Sequence, residues 1–200
     1  MRALWLIDGS YLYKAMKEHQ RNNPEFANKG IDYTRLKKEI IGAFDVRDMD
    51  SYYFNSTPDP ATDAQNNYHS WLKSPESSGG PNIRVKLYDL KRKTINCQNC
   101  SKQFTLKTQK GVDVGLATFA LRLFSKFDAI ILSGGDGDYE DAIKYIVEDN
   151  DKKFFIAGFE GSISPDLTQY SNDVYYLNRN YPNICDSRDA KPFDTIDSTV

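Results

Sequence analysis

Four aspartates carry most of the chemistry legible in this 200-residue chain. Asp8 directly follows the apolar run Leu4-Trp5-Leu6-Ile7, and Asp136-Gly137-Asp138 follows Ile130-Ile131-Leu132 across Ser133-Gly134-Gly135. Asp113 falls in Lys110-Gly111-Val112-Asp113, at the start of a helix-spaced segment. Strand ends and helix starts are where open parallel sheets gather ligands. Gly9, Gly134, Gly135 and Gly137 are expected to let the backbone turn sharply enough for carboxylates to crowd one point. Crowded carboxylates repel one another unless a cation sits among them. Oxygen donors without nearby His or Cys suit Mg²⁺ or Mn²⁺. Such ions can hold a phosphodiester, activate water and neutralise the leaving oxygen. His19 and His69 are the only histidines and suggest no competing centre. A strand-end Asp is also a common cap or turn residue, and Asp136 would serve to cap the helix through Tyr139, so the residues alone leave both readings open.

The elements that must position these residues alternate. Apolar strand-length runs at Ala3–Ile7, Asp50–Asn55, Ile83–Leu90, Ala129–Leu132, Phe154–Ala157 and Val174–Leu177 are separated by helical spacing. The helical segments are Tyr11–His19, Asp32 through Phe44, Asp63–Leu72, Val112–Phe124, Tyr139–Val147 and Pro165–Tyr170. This predicts an α/β, three-layer fold with a central, mainly parallel sheet flanked by helices. Residues 1–178 form the expected domain, with a basic insertion at 91–109, and 179–200 read as a loosely held tail. Hydrophobic residues at 40% argue against disorder, and no apolar run approaches a membrane span of about 20 residues. Three cysteines and an early Asp8, which interrupts any signal-peptide core, lead to the expectation of a cytoplasmic protein.

The net charge of −2 hides an asymmetry: between Arg84 and Lys110 eight Lys/Arg face a single acid, Asp89. Local charge of this kind steers phosphate backbones, although a solvated basic loop has the same composition. Lys91, Arg92, Lys93, Lys102, Lys107 and Lys110, interspersed with Tyr88 and Phe104, are the candidate substrate-binding residues, with Ser10 and Tyr11 beside the acids. Cys97-Gln98-Asn99-Cys100 has the spacing of half a zinc site, which a second protomer in a homodimer would have to complete because four ligands close such a site; a pair of ordinary reduced cysteines in a loop is the favoured reading.

The stretches Ile7-Asp8-Gly9-Ser10-Tyr11-Leu12-Tyr13, Lys110-Gly111-Val112-Asp113-Val114-Gly115-Leu116-Ala117 and Leu132-Ser133-Gly134-Gly135-Asp136-Gly137-Asp138-Tyr139 resemble the NYN domains, a branch of the PIN-like nuclease superfamily. Gly158-Phe159-Glu160 through Ser164, Leu167 and Asn172-Asp173 is similar to that family's closing strand and helix. The resemblance implies a PIN-like (Rossmannoid) fold and Mg²⁺- or Mn²⁺-dependent cleavage of RNA, single-stranded or structured, tRNA included. It implies that Asp8, Asp113, Asp136 and Asp138 form the metal cluster, and that the Cys97/Cys100 insertion is a decayed or dimer-completed zinc ribbon. Two positions depart from the family pattern. Ser10 stands where Asn is usual, and Phe119 where an acid is common; the second loss would weaken a second metal site. Two other readings stand beside an endoribonuclease. One is a catalytically weak or inactive RNA-binding or scaffold protein of the same fold, and the other a phosphohydrolase with Asp8 as nucleophile.

Overall fold

The computed structural model describes residues 1–58, 60–96, 100, 102–108 and 111–186. In chain order the elements are β1 (Arg2–Asp8), α1 (Gly9–Asn22), β2 (Gly30–Ile31), α2 (Tyr33–Ala43), β3 (Asp48–Thr57), α3 (Asp63–Lys73) and β4 (Arg84–Asp89). They continue with β5 (Lys91–Asn96), β6 (Gln103–Thr108), α4 (Val112–Leu123), β7 (Ala129–Ser133), α5 (Glu140–Glu148), β8 (Lys153–Gly158), α6 (Pro165–Thr168), β9 (Asp173–Tyr176), α7 (Tyr181–Ile184) and β10 (Cys185–Asp186). Six strands form one parallel sheet in the order β4-β3-β1-β7-β8-β9. The chain runs outward from β1 through β3 to β4, then restarts at β7 on the other side. The boundary between β1 and β7 is therefore the point where strand order reverses, which is where such sheets leave a crevice at their carboxyl ends.

Period-2 alternation along β1 divides the core into two layers. Ala3, Trp5 and Ile7 join the cluster built with α1, α2, α3 and α7, whereas Leu4 and Leu6 join the one built with α4, α5 and α6. Every residue from Ala3 to Ile7 is essentially inaccessible, as a strand covered on both faces requires. Asp8 continues the Leu4–Leu6 side, and its carboxylate is thus carried toward the start of α4.

The glycines act differently from expectation. Gly9, Gly134, Gly135 and Gly137 are not among the glycines with positive φ. What they permit is close approach. A Cβ at Gly9 would lie 2.2 Å from Cζ of the buried Tyr53, and one at Gly135 would lie 2.1 Å from the Ser162 carbonyl oxygen. The glycine that does need the left-handed region is Gly111 (φ 87°), which turns the chain into α4 just before Asp113.

Two expectations are refined. The segment expected as an insertion contains an antiparallel hairpin, β5 with β6, in which Arg92 pairs with Lys107 and Ile95 with Phe104. The segment expected as a tail begins with folded structure. Tyr181 and Ile184 are fully buried, and Cys185 pairs with Ile31 across β10 and β2. The Tyr181 hydroxyl donates to the Lys29 carbonyl oxygen at 2.6 Å. The polar, Pro-containing composition after Asn180 hides these three apolar anchors; residues 187–200 lie outside the described residues. Tyr181→Ala is expected to cost about 3–5 kcal/mol in a denaturant melt, the range for removing a buried aromatic side chain. A loss under 1 kcal/mol would show that the 181–186 segment does not hold the core.

Candidate active site

Asp8 is the last residue of β1 and also the N-cap of α1, where its Oδ1 accepts from the Tyr11 backbone N–H at 3.0 Å. Its other oxygen, Oδ2, accepts from the Tyr139 hydroxyl at 3.2 Å, and the same hydroxyl lies 3.0 Å from Asp113 Oδ1. A phenol has one proton to donate, so at any instant it can satisfy only one of the two carboxylates. Tyr139 is 1% exposed and Asp8 6%, so little water reaches the pair to screen it. Burial, with a further contribution from the charge of Asp113, pushes the Asp8 carboxyl above the usual carboxylate range, against the lowering by the Tyr11 N–H. Burial and the two neighbouring carboxylates likewise raise the Tyr139 phenol, which stays protonated as a donor.

Asp113 stands in the first turn of α4, where a helix N-terminus favours negative charge. Asp136 and Asp138 lie beyond β7, the strand paired with β1 through Ile7 and Ser133. Both are exposed, and Asp136 Oδ1 accepts from the Asp138 backbone N–H at 3.1 Å, capping the short turn that presents Tyr139. Asp8 and Asp113 are therefore brought together, while Asp136 and Asp138 sit at the adjoining strand end facing solvent. Among the described residues, no three His, Cys, Asp or Glu side chains are gathered closely enough to hold a metal ion by themselves. Mg²⁺, however, keeps several waters and is commonly held by only one or two carboxylates. The Asp8–Asp113 pair, two carboxylates sharing one phenol proton, has an oxygen donor set that fits such an ion.

The other expected residues fall as follows. Ser10 Oγ donates to Asn55 Oδ1 at 3.0 Å. The Tyr11 hydroxyl lies 2.9 Å from Ser162 Oγ and accepts from the Phe159 backbone N–H at 3.1 Å, so it ties α1 to the loop after β8. Phe119 packs against Tyr52 and Phe54, with ring centroids 4.5 and 5.5 Å apart, and Lys86 Nζ lies 4.6 Å from its ring centre. Lys102 and Cys100 are exposed, and Cys185 is buried in the core. Cys97 and Lys110 lie outside the described residues, as do the side chains of Lys91, Arg92, Lys93 and Lys107.

The family model of the NYN domain matches residues 2–178. The chain belongs to the NYN family. Its domain has the six-stranded, helix-flanked parallel sheet described above. A crystal structure of a protein of unknown function from Vibrio parahaemolyticus is similar over 88% of this chain and 92% of that one, at 19% identity and a TM-score of 0.60, which shows a shared fold. A MurG structure from Acinetobacter baumannii aligns with 86% of this chain and 40% of its own, at 13% identity and a TM-score of 0.37. No curated protein matches the sequence. No helix among the described residues is long and apolar enough to cross a membrane.

Tyr139, which the sequence sets beside the acids, is the hydroxyl on which both converge. Sequence reading passed over one part of this NYN site: Asn55, just past the β3 residue paired with Asp8, receives Ser10. The available signal for Asn55 was its position, a polar residue ending the aromatic run Tyr52-Tyr53-Phe54.

The raised Asp8 pKa has a consequence for stability. An ionised Asp8 is disfavoured in the folded state, so its charge subtracts stability at neutral pH, and that loss is relieved as pH falls through the folded pKa toward 3.8. Asp8→Asn keeps an oxygen for the Tyr11 N–H and removes the charge. Metal-free Asp8→Asn should therefore melt higher than the unsubstituted protein at pH 7, with the gap closing toward pH 4. Thermal melts across that range check it, and a lower-melting variant at pH 7 contradicts it.

Proposed function

We propose that this NYN protein is a metal-dependent ribonuclease whose centre is formed by Asp8 and Asp113, with Asp136 and Asp138 completing it from the β7 end. The observation that carries the reading is the convergence of two carboxylates on one buried phenol at the carboxyl end of the central strand. Such an arrangement is costly in the fold and suited to receiving a cation. A bound Mg²⁺ or Mn²⁺ would supply Lewis-acid polarisation of a phosphodiester and a hydroxide at neutral pH.

The chain's own groups do the rest. Asp8, fixed at both oxygens, cannot swing away, and Tyr139 holds Asp113 beside it. Leu6, Leu132 and Val112 are buried in the same apolar cluster as Tyr139, so the phenol between the acids sits in a low-dielectric surrounding. Asp136 and Asp138, exposed at the adjoining strand end, would accept a proton from an attacking water or share the ion.

RNA is the substrate that fits the surroundings. The β5–β6 hairpin leaves the sheet immediately after β4, and β6 ends at Thr108, five residues before Asp113. The sequence between Arg84 and Lys110 carries an excess of Lys and Arg and ends three residues before Asp113. Positive charge beside an acidic centre positions a phosphate backbone without neutralising the centre itself. Phe119 favours a second reading, RNA binding with weak or absent cleavage, because its ring is packed on the sheet where the family resemblance places an acid.

Incubation of mixed RNA with Mn²⁺, Mg²⁺ or a chelator separates the two. Hydrolysis is expected only with metal, falling roughly 100-fold or more in Asp8→Asn and in Asp113→Asn. Asp136→Asn is expected to reduce it as well. Cleavage that survives Asp8→Asn would remove the proposed centre, and retention of RNA without cleavage would leave the binding reading.

A further inference from the structure

A cavity of about 290 Å³ opens between the later turns of α1 and the loop that follows β8. It lies along α1 from Asp8, and Tyr11 separates the two. The backbone N–H of Tyr11 binds Asp8, while its hydroxyl binds Ser162 and the Phe159 N–H, and both Ser162 and Phe159 line the cavity. Tyr11 thus links the cavity wall to Asp8, while Glu18 stands further along the same helix, about 15 Å from Asp8 at 1.5 Å per residue.

Its size is near the lower limit of small-molecule sites, enough for one heterocycle and its sugar. Its chemistry excludes phosphate: Glu18 and Glu160 contribute carboxylates, and no Lys or Arg lines it. The remaining polar groups are largely the neutral amides of Asn22, Asn23 and Asn178. Glu160 is already engaged, paired with Arg179 and accepting from Asn178, and Asn23 Nδ2 is turned to the His19 carbonyl oxygen at 2.8 Å. Glu18, exposed at the opening, is the carboxylate left to meet a ligand.

Unstacked bases of RNA are read by hydrogen bonds at their edges, and a carboxylate selects a base that presents an amino group. Resting on the ribonuclease reading for its substrate, we propose that this cavity is a base-binding subsite that receives an unstacked nucleobase of the RNA at a distance of two or more nucleotides from the scissile phosphate. Glu18 accepts from the exocyclic amine, so cytosine, adenine and guanine are favoured over uracil.

Titration of the full chain with cytidine, adenosine, guanosine and uridine in chelator, followed by NMR, tests the site without requiring cleavage. Shifts are expected at the amides of Asn22, Asn178 and Gly161, with uridine at least fivefold weaker than cytidine. Glu18→Gln should abolish that preference, and Glu18→Lys should reverse it; both lie on an exposed helical position and leave the melt unchanged. Asp8→Asn should bind nucleosides as the unsubstituted protein does. A cytidine-containing trinucleotide should shift the same amides, which separates an RNA site from one for free nucleosides only. The absence of shifts at these amides, or a Glu18→Gln variant with an unaltered base preference, overturns the subsite. Failure of metal-dependent cleavage with nucleoside binding intact would instead count against the hydrolytic centre alone.

Discussion

One hydroxyl between two carboxylates is the interaction on which the rest of this site depends. Tyr139 can give its proton to Asp8 or to Asp113 but not to both, and Tyr139 and Asp8 are almost wholly buried while Asp113 is half-buried. A protein shaped by stability alone would avoid this, since each unpaired buried charge costs far more than a hydrogen bond returns. The arrangement persists because the backbone leaves no alternative. Asp8 is fixed by the register of β1 and by its own role as the cap of α1, and Asp113 by the first turn of α4.

Close packing then carries that geometry outward. Gly9 lets α1 start against the ring of Tyr53, and Gly135 lets the strand end of β7 press on the Ser162 backbone. Tyr11 spans the gap between them as a strut. These contacts make the carboxyl rim of β1, β7 and β8 one continuous surface. The acidic pair, the exposed Asp136 and Asp138, and the cavity beside Phe159 therefore belong to a single ledge.

Charge is divided along the sequence. Basic residues are concentrated in the segment from Arg84 to Lys110, while the centre and the cavity are acidic or neutral, so the near-neutral total conceals a local asymmetry. Phe119 marks where this chain departs from a more acidic arrangement, its ring filling space between α4 and β3 under the Lys86 ammonium.

The alternation of apolar runs and helical spacing was enough to determine the α/β class, and the bounds of α2 and α4 followed from Asp32 as a cap and from the Val112–Leu123 periodicity. The three motifs around Asp8, Asp113 and Asp136 were equally legible, because strand-end acids beside glycines are local patterns. Local pattern could not show why the glycines are there, since close approach to Tyr53 or Ser162 is a contact between segments far apart in the chain. Nor could it reveal the short folded segment after Asn180, where three apolar side chains gain their burial from segments distant in the chain, α2, β2 and the rings of His19, Phe26 and Phe159. The sequence by itself determined which residues are acidic, apolar or basic and how they recur. Only the tertiary structure decided that Asp8 and Asp113 share one phenol while Asp136 and Asp138 face solvent, because convergence depends on strand order, and strand order is set by packing across the whole sheet.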